Sequence, residues 1–220
     1  RVAWKVESAG AAEAVMTATL PEAGLDVRRR ASLAGAAAVL KVEETVTNRR
    51  RMGKIYNMVQ HPTIGPPFLD ERTVVDANAR KGFLQSSPMP NPEEPAVFWP
   101  QALRDGIPVN LRFLTNDPLP NVVSYVVDEA MGWTTASSPT HNLLLGYLWR
   151  TDEYPWFNVW RHVDGNGKPL ARGLEFGTTG LHQPFGVLTE KGSIFGRKLF
   201  SYLDAGASST RTYYAFLAAT

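Results

Sequence analysis

The chain has 220 residues, 44% of them hydrophobic, and no cysteine. That is enough apolar material for one substantial core, and it excludes both a disulfide framework and a thiolate metal site. Lysine and arginine number 23 against 21 acidic residues, a formal net charge of +2, so nothing in the charge balance calls for nucleic acid as a partner. The triplets Arg28–Arg30 and Arg49–Arg51 read as solvated strand ends and turns. No apolar run nears the roughly 20 residues that a membrane-crossing helix needs, so no membrane partner is expected. The opening RVAWKVESAG has neither the apolar core of a secretory signal nor an initiator methionine. The expectation is a single domain over 1–220 that begins inside a longer chain, with the compartment open between cytoplasmic and secreted.

In chain order, Val15 to Leu20 ends at Pro21, the next run places Leu25, Val27, Ala31 and Leu33 on one face, and Ala38 to Thr47 alternates through Leu40, Val42 and Val46. All three read as strands. Ile55 to Gln60 reads as a strand that closes on His61-Pro62. Proline cannot donate to a sheet ladder, so His61 belongs at a strand exit, a usual place for a functional side chain. Ser86 to Pro100 carries prolines at 88, 90, 92, 95 and 100, the composition of a long loop or of a lid over a cleft. Strands resume at Val109 to Leu114 and Asn121 to Asp128. His141 to Trp149 is nearly continuous in apolar residues and is expected to be buried on both faces.

Trp156 to Val163 alternates, with Trp156, Asn158, Trp160 and His162 on one face and Phe157, Val159 and Arg161 on the other. Asp164-Gly165-Asn166-Gly167 then has the composition of a hairpin reversal. In the following strand, Ala171 to Gly177, Leu174 and Phe176 point one way, and Glu175 points the other way between Gly173 and Gly177. This spacing sets the carboxylate on bare backbone and predicts room for a flat ligand beside it. From Ser193 to Thr220 the pattern is strands around an Asp204-Ala205-Gly206 turn. Many short strands, 18 glycines, 16 prolines and no convincing helix predict an all-β, antiparallel sandwich.

The four histidines form no HxH, HxxxH or HExxH spacing, and there is no GxSxG, P-loop or GxGxxG after a strand. No metal and no cofactor is therefore expected. The scattered imidazoles, one glycine-flanked carboxylate and large aromatics suit a carbohydrate, whose C–H face lies on an aromatic ring while its hydroxyls take directional partners. Trp156, Trp160, Arg161 and Gln183 are the candidates to bind it. The same aromatics suit a packed core, and the sequence leaves both readings open.

EETVTNRRRMGKIYNMVQHPTIG, from Glu43 to Gly65, resembles the stretch of galactose mutarotase-like proteins (aldose 1-epimerases) in which a strand ending in V-x-N precedes one closing on His-Pro. RGLEFGTTGLHQPFG is similar to that family's G-x-E-P-x-T stretch, with Phe176 where many members have proline. The resemblance covers most of the chain and implies a β-supersandwich, with an upstream arginine and histidine of the family lacking here. It implies a monosaccharide or sugar derivative as partner and interconversion of its α and β anomers, with His61 as the acid and Glu175 as the base. A non-catalytic carbohydrate-binding domain on the same scaffold is the alternative.

Overall fold

The computed structural model describes residues 2–35, 37–113, 122–166 and 168–220. The expected strand ends Leu114 and Asn121 and the turn residue Gly167 lie outside the described residues. In chain order the strands are β1 (Lys5–Ala9), β2 (Glu13–Leu20), β3 (Leu25–Leu33), β4 (Val39–Asn48), β5 (Lys54–Tyr56), β6 (Val59–Gln60), β7 (Thr63–Ile64), β8 (Val74–Ala77), β9 (Ala79–Leu84), β10 (Val97–Phe98) and β11 (Gln101–Arg104). There follow β12 (Ile107–Asn110), β13 (Val122–Val127), β14 (Met131–Ser138), β15 (Leu143–Arg150), β16 (Trp156–Val163), β17 (Pro169–Gly177), β18 (Ser193–Ile194), β19 (Arg197–Lys198), β20 (Ser201–Leu203) and β21 (Ser208–Ala219). The α-helix α1 (Phe185–Lys191) joins β17 to β18, and a short 3-10 helix (Pro139–His141) joins β14 to β15.

An eight-stranded sheet, in the order β1-β2-β3-β4-β21-β15-β14-β8, faces a seven-stranded sheet, β10-β9-β13-β16-β17-β6, with β7 also paired to β17. The pairs within them are antiparallel, as expected. The core lies between the sheets, where Val75, Ala136 and Trp149 of one meet Tyr125, Phe157, Val159, Leu174 and Phe176 of the other. Trp149 stacks on Phe176 with ring centroids 4.3 Å apart and planes at 4°. Tyr154 and Tyr213 meet the same phenyl edge-on at 5.4 and 5.2 Å. Each such pair is worth about 0.5–1.5 kcal/mol beyond its burial.

A second cluster covers part of the seven-stranded sheet's outer face. There Leu181, Leu188 of α1, Ile194 and Leu199 pack on Phe83, Val126 and Trp156. No helix is expected from the sequence, because α1 has only seven residues and buries Leu188 alone. It is held instead by Gly192, which closes it at φ 72° and donates its backbone N–H to the Leu188 carbonyl.

Three further expectations are corrected. Ile55 to Gln60 is not one strand, since β5 pairs with β20 while β6 pairs with β17. At the break, Thr178 donates its hydroxyl to Asn57 Oδ1 at 3.0 Å and accepts the Met58 amide at 3.0 Å, in place of a ladder. In β15 only Gly146 and Trp149 are buried, while Leu144 and Leu148 on one face and Leu145 and Tyr147 on the other are half-buried. Arg28 to Arg30 lies inside β3 rather than at a strand end: Arg28 and Arg30 pair with Glu7 and Glu13 on the surface, while Arg29 turns inward to Glu44 at 2.5 Å.

Candidate functional site

Strand register builds the site. Asn158 pairs with both Ser124 and Glu175, and Ser124 pairs with Phe83. Directly opposed residues share a face, so one row crosses the outer face of the seven-stranded sheet from Phe83 through Ser124 and Asn158 to Glu175. Gln60 pairs with Phe176, which brings the next residue, His61, alongside Glu175. The row below runs through Val122, Trp160, Gly173 and Thr63.

His61 Nε2 lies 2.6 Å from Glu175 Oε1, although 175 − 61 = 114 residues separate them in sequence. The two partners are unlike. The Glu175 side chain is 4% exposed and the His61 side chain 58%. Trp160 donates its indole N–H to the same Oε1, and its ring centroid is 5.5 Å from that of His61. His61 Nδ1 is 3.2 Å from the Thr63 hydroxyl, which fixes the ring at its other nitrogen.

Burial pushes the Glu175 carboxyl above its ordinary range, and the neighbouring His61 and the Trp160 hydrogen bond partly offset that rise. A buried carboxyl whose hold on its proton is strengthened, beside an exposed imidazole, is suited to proton exchange. His182 titrates below the ordinary histidine value, first from desolvation and then from the field of His61. Gln85 holds its segment in place by accepting the His182 amide at 3.0 Å and donating to the Gly180 carbonyl and to Ser124 Oγ.

The room predicted beside Glu175 exists and is filled by the protein itself. A Cβ added at Gly173 would sit 1.9 Å from Trp160 Nε1, so the flat group lying on that bare backbone is the indole. The structure brings His61, Glu175 and Trp160 together. Trp156, on the same face, is fully buried in the second cluster and donates its N–H to the Lys198 carbonyl at 2.9 Å. Arg161 faces the opposite side, 4% exposed between the sheets and in register with Arg172. Neither stands beside the pair. Gln183 is exposed in the segment between β17 and α1, next to His182. Among the described residues no group of three or more His, Cys, Asp or Glu could hold a metal ion.

The sequence matches no protein-family model and no curated protein. Solved structures do match. A galactose mutarotase related enzyme from Lactobacillus acidophilus aligns with TM-score 0.70 at 12% identity, over 99% of this chain and 71% of that one. The fold is galactose mutarotase-like. A candidate aldose 1-epimerase from Klebsiella pneumoniae aligns with TM-score 0.65 at 15% identity, over 98% of this chain and 53% of its own. This chain thus spans only about half the length of that relative. The same mutarotase-like architecture also matches 34% of a TPR-domain containing protein from Parabacteroides distasonis, with TM-score 0.61 and 11% identity.

Within this fold, two residues of the site carry no strong sequence signal. Asn158 is fully buried in the row beside Glu175, and neither of its amide atoms has a hydrogen-bond partner. Alternation puts it on the face of Trp160, but only the β16–β17 register sets it opposite Glu175. Thr63, which bonds His61, follows Pro62 in a two-residue strand too short to show periodicity.

Proposed function

We propose that the chain binds a sugar at the His61–Glu175 pair and interconverts its α and β anomers. The observation that carries this reading is the 2.6 Å contact between an exposed imidazole and a buried carboxyl. Both reacting oxygens of a cyclic sugar are bonded to one carbon, so an acid and a base that serve them must converge in this way. Glu175 takes the proton of the C1 hydroxyl and His61 gives one to the ring oxygen. The C1–O5 bond breaks, the C1–C2 bond turns, and the ring recloses on the other face of the carbonyl with the proton transfers reversed.

The acid and base are in direct contact, so one must yield for a sugar to reach both. Glu175 is held by Trp160 and by burial; His61 is the exposed partner and the one that moves. Each positioned group contributes about 10²–10⁴-fold. Polarimetry of freshly dissolved α-glucose and α-galactose tests the reading. Mutarotation should run faster than in buffer, and Glu175→Gln should remove about 10²–10⁴-fold of that rate with an unchanged circular dichroism spectrum. No acceleration over buffer across several sugars would sink it.

A second reading is a sugar-binding domain without turnover. One feature favours it: Glu175 Oε1 already takes both Trp160 and His61. In that case the wild type binds sugar without accelerating mutarotation, and Glu175→Gln leaves binding nearly intact.

A further inference from the structure

A fully buried guanidinium stands on the face of β17 opposite to Glu175. Arg172 shares the inner face with Leu174 and Phe176, in register with Arg161 of β16 on one side and Ile64 of β7 on the other. Charges taken out of water are costly unless they are paired and hydrogen-bonded. The contact that Arg172 makes through Nη1 is to the Arg112 carbonyl, at 3.5 Å, the outer limit of a hydrogen bond. Its Nε and Nη2 are buried without a partner.

Nothing negative answers it from its surroundings. Among the described residues the ionisable groups that act on Arg172 are Arg161 and Tyr125. Tyr125 donates its hydroxyl to the Gln101 carbonyl at 2.7 Å, and burial keeps it protonated. Arg112 pairs through Nη2 with Asp76 at 2.6 Å, while its Nε is also buried and unpartnered. Burial, and after it the field of Arg161, lowers the Arg172 pKa to about 9, so the group is still a cation at neutral pH.

The two unpartnered atoms of Arg172 narrow what can complete it. Nε–H and one Nη2–H leave the same edge of the planar guanidinium in parallel, the fork that chelates an anion through two charge-assisted hydrogen bonds. A neutral acceptor would satisfy the hydrogen bonds and leave the charge. A divalent anion would replace one unmatched charge by another of opposite sign. Close packing between the sheets limits the size to very few atoms.

We propose that Arg172 holds a small monovalent anion, of the size of chloride, on its Nε–Nη2 edge. Arg172 and Glu175 point to opposite faces of β17, so this site is separate from the His61–Glu175 pair and stands whether or not the chain acts on sugars.

Chloride is the probe, titrated against gluconate at constant ionic strength, since gluconate is too large for the same place. The Tm should rise saturably, by about 5–10 °C once chloride exceeds its dissociation constant a hundredfold. The wild type should also broaden the chloride NMR resonance, and bromide should reverse the broadening by competition. Arg172→Met replaces the cation with an apolar chain of similar length and should abolish both effects. Should that variant misfold, Arg172→Lys keeps the charge without the fork and should weaken chloride binding by about tenfold or more. The proposal is overturned if the Tm does not depend on which anion is present, if the wild type leaves the chloride resonance sharp, if Arg172→Met keeps either effect, or if Arg172→Lys binds chloride as tightly as wild type.

Discussion

Gly173→Ala tests how the site is held. The new Cβ would lie 1.9 Å from Trp160 Nε1 and 2.4 Å from both Cδ1 and Cε2, distances that no real Cβ tolerates, so the indole must lift off the strand. Lifting it breaks the N–H bond to Glu175 Oε1, a bond to an ionisable group worth about 1.5–3 kcal/mol. Overpacking at a filled site adds about 1–3 kcal/mol. The expected loss is therefore about 3–5 kcal/mol, with a change in tryptophan fluorescence as one indole becomes solvated. Urea unfolding measures it, with Gly165→Ala as control, because a Cβ at Gly165 meets nothing within 4 Å. Trp160→Ala in the Gly173→Ala background should recover part of the loss, since the clash and the bond belong to one pair. A Gly173→Ala protein within about 0.5 kcal/mol of wild type, or strict additivity in the double variant, would refute the packing of Trp160 on Gly173.

Phe176→Ala removes a fully buried ring stacked on Trp149 and should cost about 3–5 kcal/mol by urea unfolding; a loss under about 1 kcal/mol would contradict its place in the core. Burial raises the Glu175 carboxyl in the folded state, so its contribution to stability is complete below the ordinary glutamate value of 4.5 and is lost as pH rises through the raised folded value. Glu175→Gln cannot ionise, so its Tm relative to wild type should climb as pH rises above the ordinary glutamate value of 4.5, and a falling difference would show that the His61 pairing outweighs burial.

Much of this arrangement is legible in the chain. Period-two alternation sets Glu175 opposite Leu174 and Phe176, and the two inner residues are indeed fully buried. Pro62 places His61 at the end of β6. The same alternation already turns Arg161 away from Trp160, so its distance from the pair was readable from the sequence. The fates of Trp156 and Trp160 were not. They share a face and differ only in what lies above them: Leu181, Leu188 and Leu199 close over Trp156, whereas Trp160 lies on Gly173 beside His61. A covering segment that arrives from 25 or more residues downstream leaves no mark on the strand that it covers.

Side-chain direction along a strand is a local property of the pleat, and so the sandwich, the orientation of Glu175 and the strand-end position of His61 were determined by residue order alone. The 2.6 Å approach of that imidazole to that carboxyl and the indole that lies on Gly173 depend on register and on how one sheet packs on the other. Those are long-range quantities, set only when strands distant in the chain pair and the two sheets bury their shared core.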